Sequence, residues 1–239
     1  MNLPVTPLID LANSLICAIC AYQLYRSWQR DRNNSVLLYF AQGYTSLVFS
    51  YFFFSVPRLT VPENSMVLGI GFVVAQAFLY GGVAFFAKVS VFFLRRQWVR
   101  PVFMTVICLS VIAIIFNVIF FNHPTYNSLN SMTDWDIHPV VSVLSSLIFT
   151  GVLLPSAVFF YWQGHRSKDP VVHNRSIGLS IGLALLIVTA YTYYAGETPV
   201  IVYISDILSL LSYLVIFLFV IYRRQTLPHN NQINKSINI

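Results

Sequence analysis

MVLGIGFVVAQAFLYGGVAFFAKVSVFFL, the stretch from Met66 to Leu94, carries one charged residue, Lys88. A helix that crosses the hydrocarbon core of a bilayer, roughly 30 Å thick, needs about 20 mostly apolar residues. The apolar run is also continuous, whereas the strands of a transmembrane barrel alternate between apolar and polar residues. This stretch therefore predicts a membrane-spanning helix.

The rest of the chain repeats this pattern. Of its 239 residues, 57% are hydrophobic and 9% are charged, whereas soluble domains contain about 25% charged residues. Seven apolar segments are long enough to span a membrane, at Leu8–Ser27, Val36–Val56, Met66–Leu94, Pro101–Phe121, Pro139–Trp162, Ser176–Ala195 and Pro199–Tyr222. We therefore predict an all-α polytopic protein with a single seven-helix transmembrane domain over residues 1–222. A short disordered cytoplasmic tail is expected at 223–239.

The basic residues predict the orientation of this bundle. All Lys and Arg residues except Arg58 and Lys88 fall in the first, third and fifth connections or in the tail. Cytoplasmic loops of membrane proteins carry such an excess of Lys and Arg. We expect the N-terminus outside and the C-terminus in the cytoplasm, with a bacterial inner membrane as the location. The net charge of +6 is then a topology signal, so no nucleic-acid partner is expected.

Two formally charged residues are predicted to lie deep within the spans, and each is a candidate functional group. Lys88 has a long side chain that can reach the inner headgroups, so snorkelling is the structural alternative to a functional role. Asp206 is too short to do so. It must be protonated, hydrogen-bonded to neighbours such as Ser205 or Ser209, or open to a water-filled cavity.

Several polar and aromatic residues are expected in the outer half of the membrane, at the depth of Asp206. They are Asn13, Asn117, Tyr194 and Tyr203. Ligand sites usually combine aromatic walls with a few polar anchors, so these residues predict a binding site for a small ligand. A belt of aromatic residues at the membrane interface is the alternative interpretation.

The fourth connection offers potential metal ligands. Asp134, Asp136 and His138 alternate, so an extended segment would point all three side chains the same way. His123 adds a fourth oxygen or nitrogen ligand for zinc, manganese or copper. The alternative is a solvated loop in which His138 precedes the fifth helix. No other cofactor is expected.

Gly178 and Gly182 form a G-x-x-x-G motif at the start of the sixth span. Small residues at this spacing let two helix backbones approach closely, either between two copies of a protein or within one bundle. The motif predicts dimerisation or intramolecular packing. The chain contains no G-x-S-x-G, H-E-x-x-H or phosphate-binding motif, so no catalytic residue is predicted.

The basic stretch from Tyr25 to Arg32, YRSWQRDR, is followed directly by the aromatic second span. In this feature and in topology the chain resembles the seven-transmembrane input domains of bacterial signalling proteins. The resemblance implies a non-enzymatic receptor or sensor, which recognises a small ligand or the state of the membrane in the outer half of the bilayer. Because the tail is short, output would pass to a cytoplasmic partner, with the contacts expected at Arg30, Arg32, Arg95 and Arg96.

Two other functions remain open. A small transporter, or an accessory membrane subunit, would use Asp206 as a proton or cation site. A metal-dependent membrane enzyme would use the candidate ligands of the fourth connection.

Overall fold

The computed structural model describes residues 4–121, 123–127, 132–195 and 198–221, and almost all of these are helical. The helices are α1 (Val5–Arg30), α2 (Ser35–Thr60), α3 (Ser65–Leu94), α4 (Val99–Ile119), α5 (Pro139–Arg166), α6 (Pro170–Ala195) and α7 (Pro199–Ile216). A 3₁₀ turn at Arg96–Trp98 precedes α4, and a π turn at Phe217–Ile221 follows α7. All seven spans are long and apolar enough to cross a membrane, which confirms a multi-pass helical protein. The predicted tail at 223–239 lies outside the described residues.

Most helices extend beyond the predicted apolar segments. For example, α6 begins at Pro170 rather than at Ser176, and α1 continues to Arg30. Apolar composition marks only the part of a helix that lies in hydrocarbon. The helical hydrogen bonding itself begins and ends where caps satisfy the backbone groups at the two helix ends. The Asn34 and Asn64 side chains provide such caps, because each accepts a hydrogen bond from the first turn of the following helix.

The connection between α4 and α5 contains a short β-hairpin, which is an addition to the predicted helical fold. Strand β1 (Thr125–Asn127) pairs antiparallel with β2 (Met132–Asp134), and Thr125 lies opposite Asp134. Trp135 follows β2 directly and is buried against Phe72 of α3, with ring centroids 5.1 Å apart. The hairpin connection therefore packs onto one end of the bundle. We call it the amino end, because α1 begins there.

Six of the helices form a closed ring. Each helix packs against the next in the order α1, α2, α3, α5, α6 and α7, and α7 packs against α1 to close the ring. Helix α4 stands outside this ring and packs against α3 and α5. The contacts within α1–α3 therefore follow the same order as those within α5–α7, and the two three-helix units run in the same direction. A central space is left between them.

Hydroxyl side chains connect neighbouring helices of the ring. Ser90 of α3 donates to Ser156 of α5 at 2.6 Å, and Ser212 of α7 donates to the Gly182 carbonyl oxygen at 2.6 Å. Such hydrogen bonds and close packing hold membrane helices together, because lipid supplies no hydrophobic drive for their association.

Both glycines of the G-x-x-x-G motif face the chain's own last helical turns. A Cβ atom placed on Gly178 would lie 2.3 Å from Phe219 Cβ, and one on Gly182 would lie 2.3 Å from Ile216 Cγ1. The motif therefore serves intramolecular packing, and in this structure its face is not open to a second copy.

Candidate functional site

A cavity occupies the space at the centre of the ring. About 90 Å³ of it is open to the centres of water molecules, which is several times the space that one water needs. Every helix of the ring contributes to its lining, and α4 contributes no residue. The cavity has a polar part near the amino end of the bundle and an apolar part that extends past its middle.

The polar part contains a buried ion pair between α1 and α2. The Arg58 guanidinium donates to the Asp10 carboxylate, and both side chains are buried. Arg58 Nε also donates to the Phe54 carbonyl oxygen at 2.8 Å, and the guanidinium lies 5.4 Å from the centroid of Trp135. Arg58 thus has a carboxylate, a carbonyl and an aromatic face as partners, as a buried charge requires.

Asp206 of α7 lies beside this pair and borders the cavity. Its residue surface is 5% exposed, and its Oδ2 atom has no hydrogen-bond partner among the described residues. The Thr6 hydroxyl and the Tyr193 hydroxyl, which also border the cavity, are likewise buried without a partner among those residues. Buried polar atoms are nearly always hydrogen-bonded. Three such atoms lie around this one cavity, and the Thr6 hydroxyl interacts with the Asp206 carboxylate.

A few polar and charged side chains at this end of the cavity interact electrostatically with one another. Arg58 interacts electrostatically with Asp206, and Tyr193 interacts with both of them. The lining thus holds two carboxylates and one guanidinium, and no other Asp, Glu, Lys or Arg among the described residues borders the cavity. Asp10 and Asp206 therefore share one guanidinium, so these three side chains hold one more acidic group than basic groups.

The remaining walls are aromatic and aliphatic. Tyr51 and Tyr213 meet across α2 and α7, with ring centroids 5.6 Å apart and hydroxyl oxygens 3.1 Å apart. The deeper lining consists of Leu47, Leu79, Val83, Phe86, Phe149, Leu153 and Leu186. A molecule in this cavity would meet one acidic end and an otherwise apolar surface.

The structure brings together some of the residues predicted to bind a ligand. Tyr194 lines the cavity and donates to Gln76 Oε1 at 2.8 Å. Asn13 is fully buried behind the lining, where its Nδ2 atom donates to the Ser209 hydroxyl at 2.7 Å. Asn117 lies on α4 outside the ring, and Tyr203 is absent from the lining. The neighbouring serines do not bind the Asp206 carboxylate, since Ser209 donates to its backbone carbonyl oxygen and Ser205 donates to the Thr189 carbonyl oxygen.

Sequence reasoning missed Asp10, Arg58 and Trp135 as members of the site. Asp10 falls inside the first predicted span and Arg58 just beyond the second, and neither was predicted to belong to a site, although both are buried. A signal was present, because consecutive antiparallel helices bring the start of one beside the end of the next. Opposite charges at those two positions can form a pair.

Lys88 lies between aromatic rings rather than beside the arginines of the third connection. Its ammonium nitrogen is 3.8 Å from the centroid of Phe103, and about 5 Å from those of Tyr39 and Phe85. Aromatic faces attract cations through their quadrupoles. Lys88 is not part of the central cavity.

The four candidate metal ligands are not gathered into one centre. The extended strand ends at Asp134, and Asp136 adopts a φ of 46°, so the alternation needed to align the side chains is broken. The Asp134 carboxylate accepts from the Asp136 backbone N–H, and the His138 ring stacks on Phe120 and accepts from Val140 N–H. His123 lies against Phe121. Within the described residues, no three His, Cys, Asp or Glu side chains are placed to hold a metal ion.

The opposite end of the bundle carries the predicted partner-contact residues. Arg30, Arg32, Arg95 and Arg96 are all exposed there, with Arg32 over Trp28 and Arg96 over Phe92. We call this the basic end. It contains a second space of about 540 Å³ open to water centres, lined by residues of α1, α2, α3 and α6 and of the exposed connection between α1 and α2.

Aromatic rings lie between the two spaces. Phe86 lines the central cavity and Phe40 lines the basic-end space, and their rings meet edge to face with centroids 6.0 Å apart. Tyr44 packs against the other side of Phe86 at 5.6 Å. Helices α2 and α3 are close at this level, where a Cβ atom on Gly82 would lie 3.3 Å from the Gly43 carbonyl oxygen.

These features define a multi-pass membrane protein with a ligand-sized cavity inside a ring of helices. No protein-family model matches the chain, and a search of curated proteins finds no match.

Proposed function

We propose that this protein is a non-enzymatic, receptor-like membrane module that binds a small molecule in the central cavity beside Asp206. The proposed orientation places the amino end outside the cell, so that the ligand is received from that side. The exposed arginines of the basic end would then face the cytoplasm and contact a signalling partner.

The buried polar atoms of Asp206, Thr6 and Tyr193 that have no hydrogen-bond partner among the described residues carry this proposal. They lie at one end of a cavity whose other walls are apolar, and a few polar anchors in an apolar pocket are typical of small-molecule sites. The lining comes from both three-helix units, so a bound ligand would bridge them. A ligand that binds one arrangement of the units better than another would shift the population toward it.

A cavity-filling variant tests this site. Ala190 of α6 lines the cavity, and Val188 on the same helix is 48% exposed on the outer surface. We expect the neutral probe 2-phenylethanol to raise the unfolding temperature of the purified wild type and of Val188→Phe. We expect Ala190→Phe to lose this response, because the new ring occupies the space of the probe.

The Val188→Phe variant controls for partitioning of the probe into the detergent or lipid around the protein. If Ala190→Phe responded to 2-phenylethanol as the wild type does, the central cavity would not be the binding site. If neither the wild type nor Val188→Phe responded, the cavity would not bind the probe, and the proposed ligand site would be contradicted.

A proton- or cation-coupled transporter is the second candidate, and the thin aromatic partition between the two spaces favours it. Transporters often consist of two structurally repeated units with the substrate site between them. Here the three helices α1–α3 contact one another in the same sequence as the three helices α5–α7, and α4 connects the two units.

Reconstituted vesicles with an enclosed pH-sensitive dye separate the two candidates. A carrier gives proton entry above that of empty vesicles, abolished by Asp206→Asn and increased by Phe86→Ala, which removes the partition. A receptor gives the rate of empty vesicles for all three proteins.

A further inference from the structure

We propose that the cavity binds a small organic ammonium ion, with its charged nitrogen at Asp206 and its apolar part among the aromatic walls. This inference rests on the proposed ligand-binding function and names the chemical class of the ligand.

The first argument is the charge of the lining. Asp10 pairs with Arg58, and Arg58 also interacts with Asp206, so the lining holds one more carboxylate than guanidinium groups. Asp206 is 5% exposed, and its Oδ2 atom accepts no hydrogen bond from the described residues. An ammonium group supplies both the missing hydrogen-bond donor and the missing charge. An anionic ligand would be repelled by this carboxylate.

The second argument is the aromatic lining around that carboxylate. Tyr193 contacts Phe54 with ring centroids 6.1 Å apart, and Trp135 contacts the same ring at 5.8 Å. Aromatic faces attract ammonium ions, most strongly when the ions are desolvated. Arg58 occupies one face near Trp135, which shows that this part of the protein already accommodates a cation.

The third argument is the apolar depth of the cavity. A small inorganic cation needs several oxygen ligands around it, whereas the deeper lining is built from Leu, Val and Phe side chains. Burial of the hydrocarbon part of a ligand against such a surface favours binding. The lining therefore fits an amine that carries one ring or a short apolar chain.

Three probes of similar size and different charge test this inference. They are 2-phenylethylammonium, 2-phenylethanol and phenylacetate, each titrated calorimetrically into the purified full chain at constant ionic strength. We expect the cation to bind about ten-fold or more tightly than the neutral alcohol, as a charge-assisted hydrogen bond predicts. We expect phenylacetate to bind most weakly.

Asp206→Asn keeps the size of the side chain and removes its charge, so it should abolish the preference for the cation while 2-phenylethanol still binds. Retained binding of the alcohol shows that the variant is folded. Glu63→Gln is the matched control, since Glu63 is an exposed acid at the same end of the bundle, and it should leave the preference unchanged.

Equal binding of the cation and the alcohol by the wild type would overturn the ligand class while leaving the cavity as a binding site. A preference for the cation that survives in Asp206→Asn would overturn the role of Asp206 in it. Failure of all three probes to bind, 2-phenylethanol included, would overturn both this inference and the proposed binding site.

Discussion

At the scale of single residues, the sequence predicted one member of the acidic site and missed the others. Asp206 was recognisable because a carboxylate is rare in the middle of an apolar segment. Asp10 and Arg58 lie near helix ends, where charges are common, and their burial depends on the covering Trp135 and on each other. Those contacts are formed by tertiary packing, which apolar composition does not report.

Arg58→Gln should be among the most destabilising single substitutions in the chain. It leaves the buried Asp10 carboxylate without its counter-charge beside Asp206, and breaking a buried pair typically costs about 3–5 kcal/mol. We expect a corresponding decrease in the free energy of unfolding, measured in detergent micelles with a chemical denaturant.

Arg32→Gln is the matched control, because Arg32 is exposed at the basic end and its substitution should change stability by at most about 0.5 kcal/mol. The double variant Asp10→Asn/Arg58→Gln should recover part of the loss, since no charge then remains unpaired between α1 and α2. Equal stability of Arg58→Gln and Arg32→Gln would contradict the structural role of the pair.

At the scale of elements, the existence and number of the helices followed from the apolar segments, whereas their ends and neighbours did not. The G-x-x-x-G motif illustrates the difference. Its spacing predicted a close approach of two backbones, and the structure shows the partner to be the C-terminal part of the same chain. The β-hairpin between α4 and α5 was missed because two three-residue strands leave almost no periodic signal.

Gly182→Ala should destabilise the packing of α6 against α7. The added methyl group would lie 2.3 Å from Ile216 Cγ1 and 3.3 Å from the Ser212 carbonyl oxygen, and overpacking of this kind costs about 1–3 kcal/mol. We expect a lower unfolding temperature than that of the wild type.

Gly151→Ala in α5 provides the comparison, since a Cβ atom there meets nothing within 4 Å. The substitution should be neutral or stabilising by up to about 1 kcal/mol, because alanine favours a helix more than glycine does. If both variants lost stability equally, the close approach of α7 at Gly182 would not be what distinguishes the two positions, and the packing role of Gly182 would be contradicted.

At the scale of the whole molecule, the distribution of Lys and Arg predicts which end of the bundle faces the cytoplasm. The structure adds that the exposed arginines share one end and that the acidic cavity lies toward the other. The ring itself could not be predicted, because it depends on which faces of seven similar apolar helices meet.

Labelling of one accessible cysteine tests the proposed orientation, because Cys17 and Cys20 are buried. In a variant without the exposed Cys108, cysteine is placed either at Glu63 or at Lys168, which lie in connections at opposite ends of the bundle. We expect a membrane-impermeant maleimide to label Glu63→Cys on intact cells. Lys168→Cys should react only after the cells are opened, and the reverse pattern would invert the proposed direction of ligand entry.

The ion pair between α1 and α2 also bears on the order in which the protein is assembled during synthesis. Asp10 and Arg58 belong to consecutive helices that leave the ribosome well before α7, so they can neutralise each other before α7 is made. Asp206 arrives later, with α7. The hairpin of α1 and α2 thus provides a charge-balanced template, and the binding chamber closes only when α7 inserts beside it.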